Sequence, residues 1–339
     1  MRKSGLAVLL ISSLCVLASC KGSSATANSA GTDATGSDDT SSATDGGTKK
    51  KKSASSDSGT SSTADSGEPS NCPTFDAPTK VATWAAASIP ESSGLVASKK
   101  NAGVLWTHND SGNAATLFAV SAKDAHLIAT YTITGASNID WEDIALDATT
   151  GDVVVADIGD NNAVRNNLGL YRIPEPTVSE SATGLTGSIA GTRTAIAYPD
   201  GAHNAESFVI DAAHNEAYVF TKGDKSILYK IDLASTDNPV TMTKLSERVF
   251  NKEVLGKLAT AADLGESGLL IRTYSQVYFF PRESGDTVDD MFKRTPCLLA
   301  SASVANEDQA ESIAWAADES GFYTNSEHVN TALDFTKKK

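Results

Sequence analysis

The stretch Asp140-Trp141-Glu142-Asp143-Ile144-Ala145-Leu146 sets a pattern that returns along the chain. An acidic or hydroxyl tag opens a short apolar run. The same order stands at Pro90-Glu91-Ser92-Ser93 before Gly94-Leu95-Val96, at Ala205-Glu206-Ser207 before Phe208-Val209-Ile210, and at Ala310-Glu311-Ser312 before Ile313-Ala314-Trp315. A turn and a second β-rich run follow each tag. Self-similarity at a period of roughly fifty residues is the signature of propeller blades. In such a fold one carboxylate per blade, at one level, forms a ring about the central axis.

Working outward, the chain reads as β throughout. Strands are expected near 104–107, 116–120, 127–133, 153–157, 168–173, 217–221, 227–231, 269–273 and 277–280, separated by turns rich in Gly, Asn and Asp. No long segment carries a helical period. Glu91 to Glu142 is 51 residues, Glu142 to Glu206 is 64, and Glu206 to Glu311 is 105, room for two blades. The missing boundary falls at Leu258-Ala259-Thr260-Ala261-Ala262-Asp263, which places Thr260 where the other tags have Glu. The fold class is therefore all-β, a β-propeller of five blades, with residues 81–85 closing the last blade. Six blades are the alternative, with an extra one hidden in the long second interval. An irregular sandwich leaves the tags unexplained.

At the ring, Glu142, Glu206 and Glu311 are expected to converge with Ser92 or Ser93 and with Thr260 from the other two blades. Three carboxylates this close repel unless a cation or protons lie between them. Hard oxygen donors from several directions suit Ca²⁺, and no Cys/His spacing suggests zinc. The competing reading is that each tag caps its own blade through backbone N–H groups. A second layer follows some sixteen to twenty residues after each tag: Thr107-His108-Asn109-Asp110-Ser111-Gly112, Asp157-Ile158-Gly159-Asp160-Asn161, Thr221-Lys222-Gly223-Asp224, Arg272-Thr273-Tyr274 and Glu327-His328. Lys222, Arg272 and Arg165 are the candidate anion-binding groups, and His108 and Asp110 the candidate proton acceptors. The same Asn-Asp-Ser-Gly and Gly-Asp-Asn phrases are also good turn sequences. No Gly-x-Ser-x-Gly elbow, phosphate-cradling loop or His-Glu-x-x-His is present.

The two ends of the chain read differently. Residues 1–19 have a basic start and an apolar core too short to span a bilayer, as in an export signal. The core ends in Leu17-Ala18-Ser19-Cys20, which resembles the lipobox of bacterial lipoproteins. That resemblance implies cleavage before Cys20 and lipidation there, so the membrane is reached through acyl chains. Lys21 after the cysteine points to the outer membrane in a Gram-negative host, and to a cell-envelope location in any case. Residues 20–71 are Ser, Thr, Gly, Ala, Asp and Lys almost throughout and read as a disordered tether. Residues 72–339 form the propeller domain, and Cys72 and Cys297 are expected to pair in an oxidising setting. The net charge of −14 lies wholly in residues 72–339. That balance speaks against a nucleic-acid partner and suits a domain that holds cations. A monomer is expected.

The phrases Trp106-Thr-His-Asn-Asp-Ser-Gly112, Asp140-Trp-Glu-Asp-Ile-Ala145, Asp157-Ile-Gly-Asp-Asn161, Tyr198-Pro-Asp-Gly201, Arg272-Thr-Tyr274 and Glu311-Ser-Ile-Ala-Trp315 resemble a family of largely uncharacterised bacterial secreted propeller proteins. The match spans roughly residues 85–330 and implies a propeller more firmly than any activity. A looser resemblance is to the five-bladed calcium-activated nucleotidases, or apyrases, where one Ser or Glu per blade binds a central Ca²⁺. It implies Ser93, Glu142, Glu206, Thr260 and Glu311 as metal ligands. The Arg-containing phrases of those enzymes are missing, with only Asp110-Ser-Gly112 in place of the first, so the metal site carries over better than the nucleotide site. Two functions follow as expectations. One is a Ca²⁺-dependent hydrolase acting on a phosphate-containing or other small anionic ester. The other is a non-enzymatic binding or scaffold propeller with a structural Ca²⁺, recognising an envelope component or a protein partner.

Overall fold

The computed structural model describes residues 72–251, 254–299 and 309–339. The export signal, Cys20 and the tether lie outside the described residues. Among the described residues the chain forms five antiparallel-centred sheets, each a blade. Strand β1 (Thr79–Trp84) precedes the first complete blade. That blade holds β2 (Ser92–Ala97), β3 (Val104–Asn109), β4 (Thr116–Ser121) and β5 (Leu127–Thr134). The second holds β6 (Trp141–Asp147), β7 (Asp152–Asp157) and β8 (Gly169–Pro174). Strands β9 (Leu185–Ala190) and β10 (Thr192–Ala197) follow. The third blade is β11 (Ala205–Asp211), β12 (Glu216–Thr221), β13 (Ser226–Asp232) and, beyond a two-residue β14 (Val240–Thr241), β15 (Thr243–Arg248). The fourth is β16 (Ala259–Leu264), β17 (Gly268–Thr273), β18 (Val277–Pro281) and β19 (Cys297–Leu298). The fifth is β20 (Ala310–Trp315), β21 (Gly321–Ser326) and β22 (Thr331–Lys337).

The ring is closed by β1, which pairs antiparallel with β22 as the outer strand of the fifth blade. Closure by residues from the two ends of the domain matches the expected role of 81–85. The Cys72–Cys297 disulfide also forms, with Cα atoms 5.6 Å apart. It ties the segment before β1 to the outer strand of the fourth blade.

Blade count settles at five, and the long Glu142–Glu206 interval is not a sixth blade. After β8 the chain crosses to the first blade and adds β9 parallel to β5. It then returns as β10, antiparallel to β8. The extra residues extend two existing sheets instead of making a new one. Strand β14 repeats the device, pairing parallel with β10 from the third-blade segment.

Every blade buries both faces against its neighbours. One apolar cluster fills each of the five interfaces between adjacent blades. A sheet covered on both sides reads as a continuous apolar run instead of an alternating one. That explains Val153-Val154-Val155-Ala156 in β7, where all four side chains are fully buried. Trp84, Trp106, Trp141 and Trp315 sit in these interfaces. A fully buried apolar side chain contributes about 1.5–3 kcal/mol, so the five clusters dominate cohesion and hold the inner strands rigidly in place.

Candidate metal centre at the tag mouth

The innermost strands are β2, β6, β11, β16 and β20, and each carries a register break at its tag. The breaks fall between Trp141 and Asp143, Ala205 and Ser207, Ala259 and Ala261, and Ala310 and Ser312. In β2 the break spans Ser92 to Leu95. The bulged residues are thus Glu142, Glu206, Thr260 and Glu311, with Ser93 and Gly94 in the first blade. A bulge leaves one residue out of the ladder and re-aims its side chain. The repeat seen in sequence is therefore a repeated bulge. It turns one side chain per blade away from the sheet at one mouth of the ring.

Of the five expected ring residues, only Glu142 joins a close carboxylate cluster among the described residues. Asp110, Asp140 and Glu142 each offer an oxygen within 4.8 Å of the others. Asp110 stands on the turn after β3, held by Asn138 Nδ2, which donates to the Asp110 carbonyl at 2.7 Å. Asp140 is fixed by its own N–H to Asp157 Oδ1 at 3.1 Å and by Gly159 N–H to its carbonyl at 3.1 Å. Gly159 packs directly against both carboxylates. A Cβ on it would lie 2.6 Å from Asp140 Oδ2 and closer still to Glu142 Oε1.

Across the mouth a second network uses a built-in cation. Lys222 Nζ pairs with Glu206 Oε1 and donates to Tyr274 Oη at 2.6 Å. Tyr274 Oη donates on to Glu311 Oε1 at 3.0 Å. Glu206 Oε2 is buried and has no hydrogen-bond partner. Arg165 approaches from the second blade, pairing with Asp157 at 2.6 Å and with the Gly159 carbonyl.

Charge crowding shows in the titration of these groups. Burial, then Glu206, pushes the Glu142 carboxyl well above the usual carboxylate range. Burial raises Glu206 to about 8 against the pull of Lys222, with Glu311 adding to the rise. Burial and the neighbouring Glu311 raise Glu327 to about 9. Asp110 rises to about 6, chiefly by burial. Burial pulls Lys222 down, but Glu206 and Tyr274 outweigh it and hold the ammonium charged.

Other expected residues stand elsewhere. Arg272 is fully buried, and its Nη1 donates to the Ser312 carbonyl at 2.6 Å and the Asn325 carbonyl at 3.2 Å. It staples the fourth blade to the fifth and does not reach the rim. His108 is fully buried beneath Trp141, 5.7 Å between ring centroids, and burial lowers it to about 4. It is neutral and shielded from the mouth. Ser93 Oγ donates to the Glu142 carbonyl at 2.8 Å, and Thr260 Oγ1 to the Ala310 carbonyl at 2.7 Å. At these two ring positions the hydroxyl bonds the backbone of the next blade.

Asp140, Tyr274 and Glu327 are the site residues that sequence reasoning leaves unassigned. Asp140 has a legible signal, since it shares the tag with Glu142. Tyr274 and Glu327 lie in the second-layer phrases, but only the structure shows that they meet Glu311.

No protein-family model matches the chain, and no curated protein matches it. Among solved structures, the chain is similar to the WD40 repeats of RRP9, at 9% identity and a TM-score of 0.41, over 78% of this chain and 100% of that one. It is also similar to hydrazine synthase of Kuenenia stuttgartiensis, at 11% identity and a TM-score of 0.40, over 73% of this chain and 95% of that one. Neither likeness bears on the site.

Proposed function

We propose that this chain is a lipid-anchored, five-bladed propeller of the cell envelope that binds Ca²⁺ at the tag mouth and uses the metal-bearing face to grip an anionic envelope component. The observation that carries this reading is the Asp110, Asp140 and Glu142 cluster. Ca–O distances of about 2.3–2.6 Å let two oxygens on one ion stand up to about 5 Å apart, so three oxygens within 4.8 Å of one another can share one ion. The donors are all oxygen, Gly159 leaves the space that a side chain would fill, and Glu206 Oε2 is a buried acceptor still to be satisfied. Glu142, Asp140 and Asp110 would hold the ion, with Glu206 behind them. Glu311 is held by Tyr274 and is less free to join. The reading thus shifts the ion off the axis of the five-residue ring toward the second blade. Bound there, Ca²⁺ supplies positive charge at an otherwise acidic mouth and an open position for an anionic oxygen.

Calorimetric titration with Ca²⁺ tests this. The wild-type domain is expected to bind one ion per chain, and the Asp140→Asn, Glu142→Gln double variant to lose at least about a hundredfold in affinity, roughly 2.7 kcal/mol. Equal affinity in the two proteins would sink the site.

The hydrolase reading is favoured by one observation, the partly exposed Asp110 beside Asp140 with Arg165 and Lys222 at the same mouth. Against it stands the burial of His108 and Arg272. A panel of nucleotides, sugar phosphates, phytate and simple esters, run with Ca²⁺ and with chelator, decides it. Metal-dependent turnover of any member would favour the enzyme.

A further inference from the structure

The inner strands have a second end. Their last residues surround a cavity of about 680 Å³ at the mouth opposite the tags. Asp143 separates the two mouths, because its carboxylate crosses the centre of the ring to the backbones of the third and fourth blades. The far cavity is therefore a site in its own right.

Its walls are apolar, formed by Val96, Ala145, Ile210, Leu264 and Trp315, one from each innermost strand. Its charged lining is unbalanced, with three cationic and six anionic side chains. Most of those charges are already engaged. Asp211 is paired with Arg282 at 2.7 Å and Asp147 with Arg172 at 2.6 Å. Glu175 accepts from Trp106 Nε1 at 2.8 Å, and Glu319 from Ser267 N–H at 2.8 Å. Lys100 donates to the Glu175 carbonyl at 2.8 Å. Lys99 and Glu266 stand exposed at the rim.

Asp263 is the exception on the wall. Its Oδ2 accepts the Trp315 N–H at 2.7 Å and its Oδ1 the Leu264 N–H at 2.8 Å. Both bonds fix the carboxylate's direction, and neither supplies a full positive charge. Among the described residues it has no ion-pair partner. Burial raises its carboxyl to about 7, against the pull of its two N–H donors and of Lys99 at the rim.

We infer that this cavity binds a small organic amine, a primary ammonium on an apolar body, with the ammonium on Asp263 and the body against Ile210, Leu264 and Trp315. The volume suits a drug-sized ligand, and a mainly apolar wall with one oriented polar anchor is the ordinary form of such sites. The sign of the lining excludes an anion as the preferred guest. A primary ammonium can use the remaining lone pairs of Asp263, which already has both oxygens held in place.

The test is calorimetry with phenethylammonium, set against phenethyl alcohol and phenylacetate on the same protein near neutral pH. The amine is expected to bind, with the alcohol at least about tenfold weaker and phenylacetate silent. Asp263→Asn should cost the amine about tenfold or more and leave the alcohol nearly unchanged. Ile210→Trp adds bulk to the cavity wall while keeping the Asp263 carboxylate in the chain, and should abolish amine binding even if the Asn variant fails to fold. Ca²⁺ titration of Ile210→Trp should match wild type. The proposal is overturned if the alcohol binds as tightly as the amine, if Ile210→Trp leaves amine binding intact, or if the amine gives no heat at about 10 mM, the weak end of measurable affinity.

Discussion

Asp143 Oδ2 accepts the backbone N–H of Ala262 at 3.1 Å, across the centre of the ring from the second blade to the fourth. The same oxygen accepts Phe208 N–H of the third blade at 2.8 Å, and Oδ1 accepts Ile144 N–H at 2.9 Å. One fully buried carboxylate thus links three innermost strands. Burial pushes it well above the usual range although three backbone donors pull it down. Asp143→Ala should take the side-chain acceptor from three buried N–H groups and cost about 3 kcal/mol or more. Asp143→Asn, which keeps one carbonyl oxygen, should cost less. Chemical denaturation with the disulfide intact measures both, and an Ala variant within about 1 kcal/mol of wild type would show that the link is dispensable.

The crowded mouth should make metal-free stability depend on pH in an unusual direction. Burial and the neighbouring carboxylates raise Glu206 to about 8 and Glu327 to about 9, and raise Glu142 too. Unfolded glutamates titrate at about 4.3. Between those limits the folded state binds more protons than the unfolded chain, so stability falls as pH rises. In chelator, melting temperature should climb as pH drops from about 9 toward about 5. Saturating Ca²⁺ should flatten or reverse the slope, because the ion favours the ionised carboxylates. Parallel melts with and without Ca²⁺ report this, and a slope indifferent to Ca²⁺ would separate the acidic mouth from any metal.

Lys222 is the cation the chain supplies for itself, shared between Glu206 and Tyr274. Lys222→Met should free the Glu206 carboxylate, raise Ca²⁺ affinity about threefold to tenfold, and destabilise the metal-free domain. Calorimetry and melts on one preparation give both readings. Weaker Ca²⁺ binding in this variant would mean that Lys222 shapes the site instead of competing with it.

The propeller is largely legible in the sequence because its period is written twice, in apolar runs and in tags. The expected strand at 104–107 lies within Val104–Asn109, and that at 277–280 within Val277–Pro281. Thr260 holds the predicted tag place in the fourth blade. The β9 excursion was not legible, since an edge strand of exposed residues such as Thr186 and Ser188 carries no apolar pattern. Second-layer directions were equally hidden. Arg272 and Lys222 both stand at the ends of apolar strands, yet one points into a blade interface and the other to the mouth. Sequence spacing puts residues at one level and does not say which way a bulged or strand-end side chain turns.

Gly159 tests the cradle itself. Gly159→Ala would place a methyl 2.6 Å from Asp140 Oδ2 and drive Asp140 and Glu142 apart. Ca²⁺ affinity should fall by more than about tenfold, with a stability cost of about 1–3 kcal/mol for the overpacked atoms. Titration and denaturation together separate the two effects, and unchanged affinity would place the ion elsewhere.

The most direct measurement is the anomalous scattering of crystals of the domain grown with Mn²⁺ as a surrogate for Ca²⁺. One strong peak is expected within coordinating distance of the Asp110, Asp140 and Glu142 carboxylates, on the second-blade side of the tag mouth. A peak on the axis between Glu206 and Glu311, a peak at the opposite mouth, or no peak at a saturating concentration would contradict it.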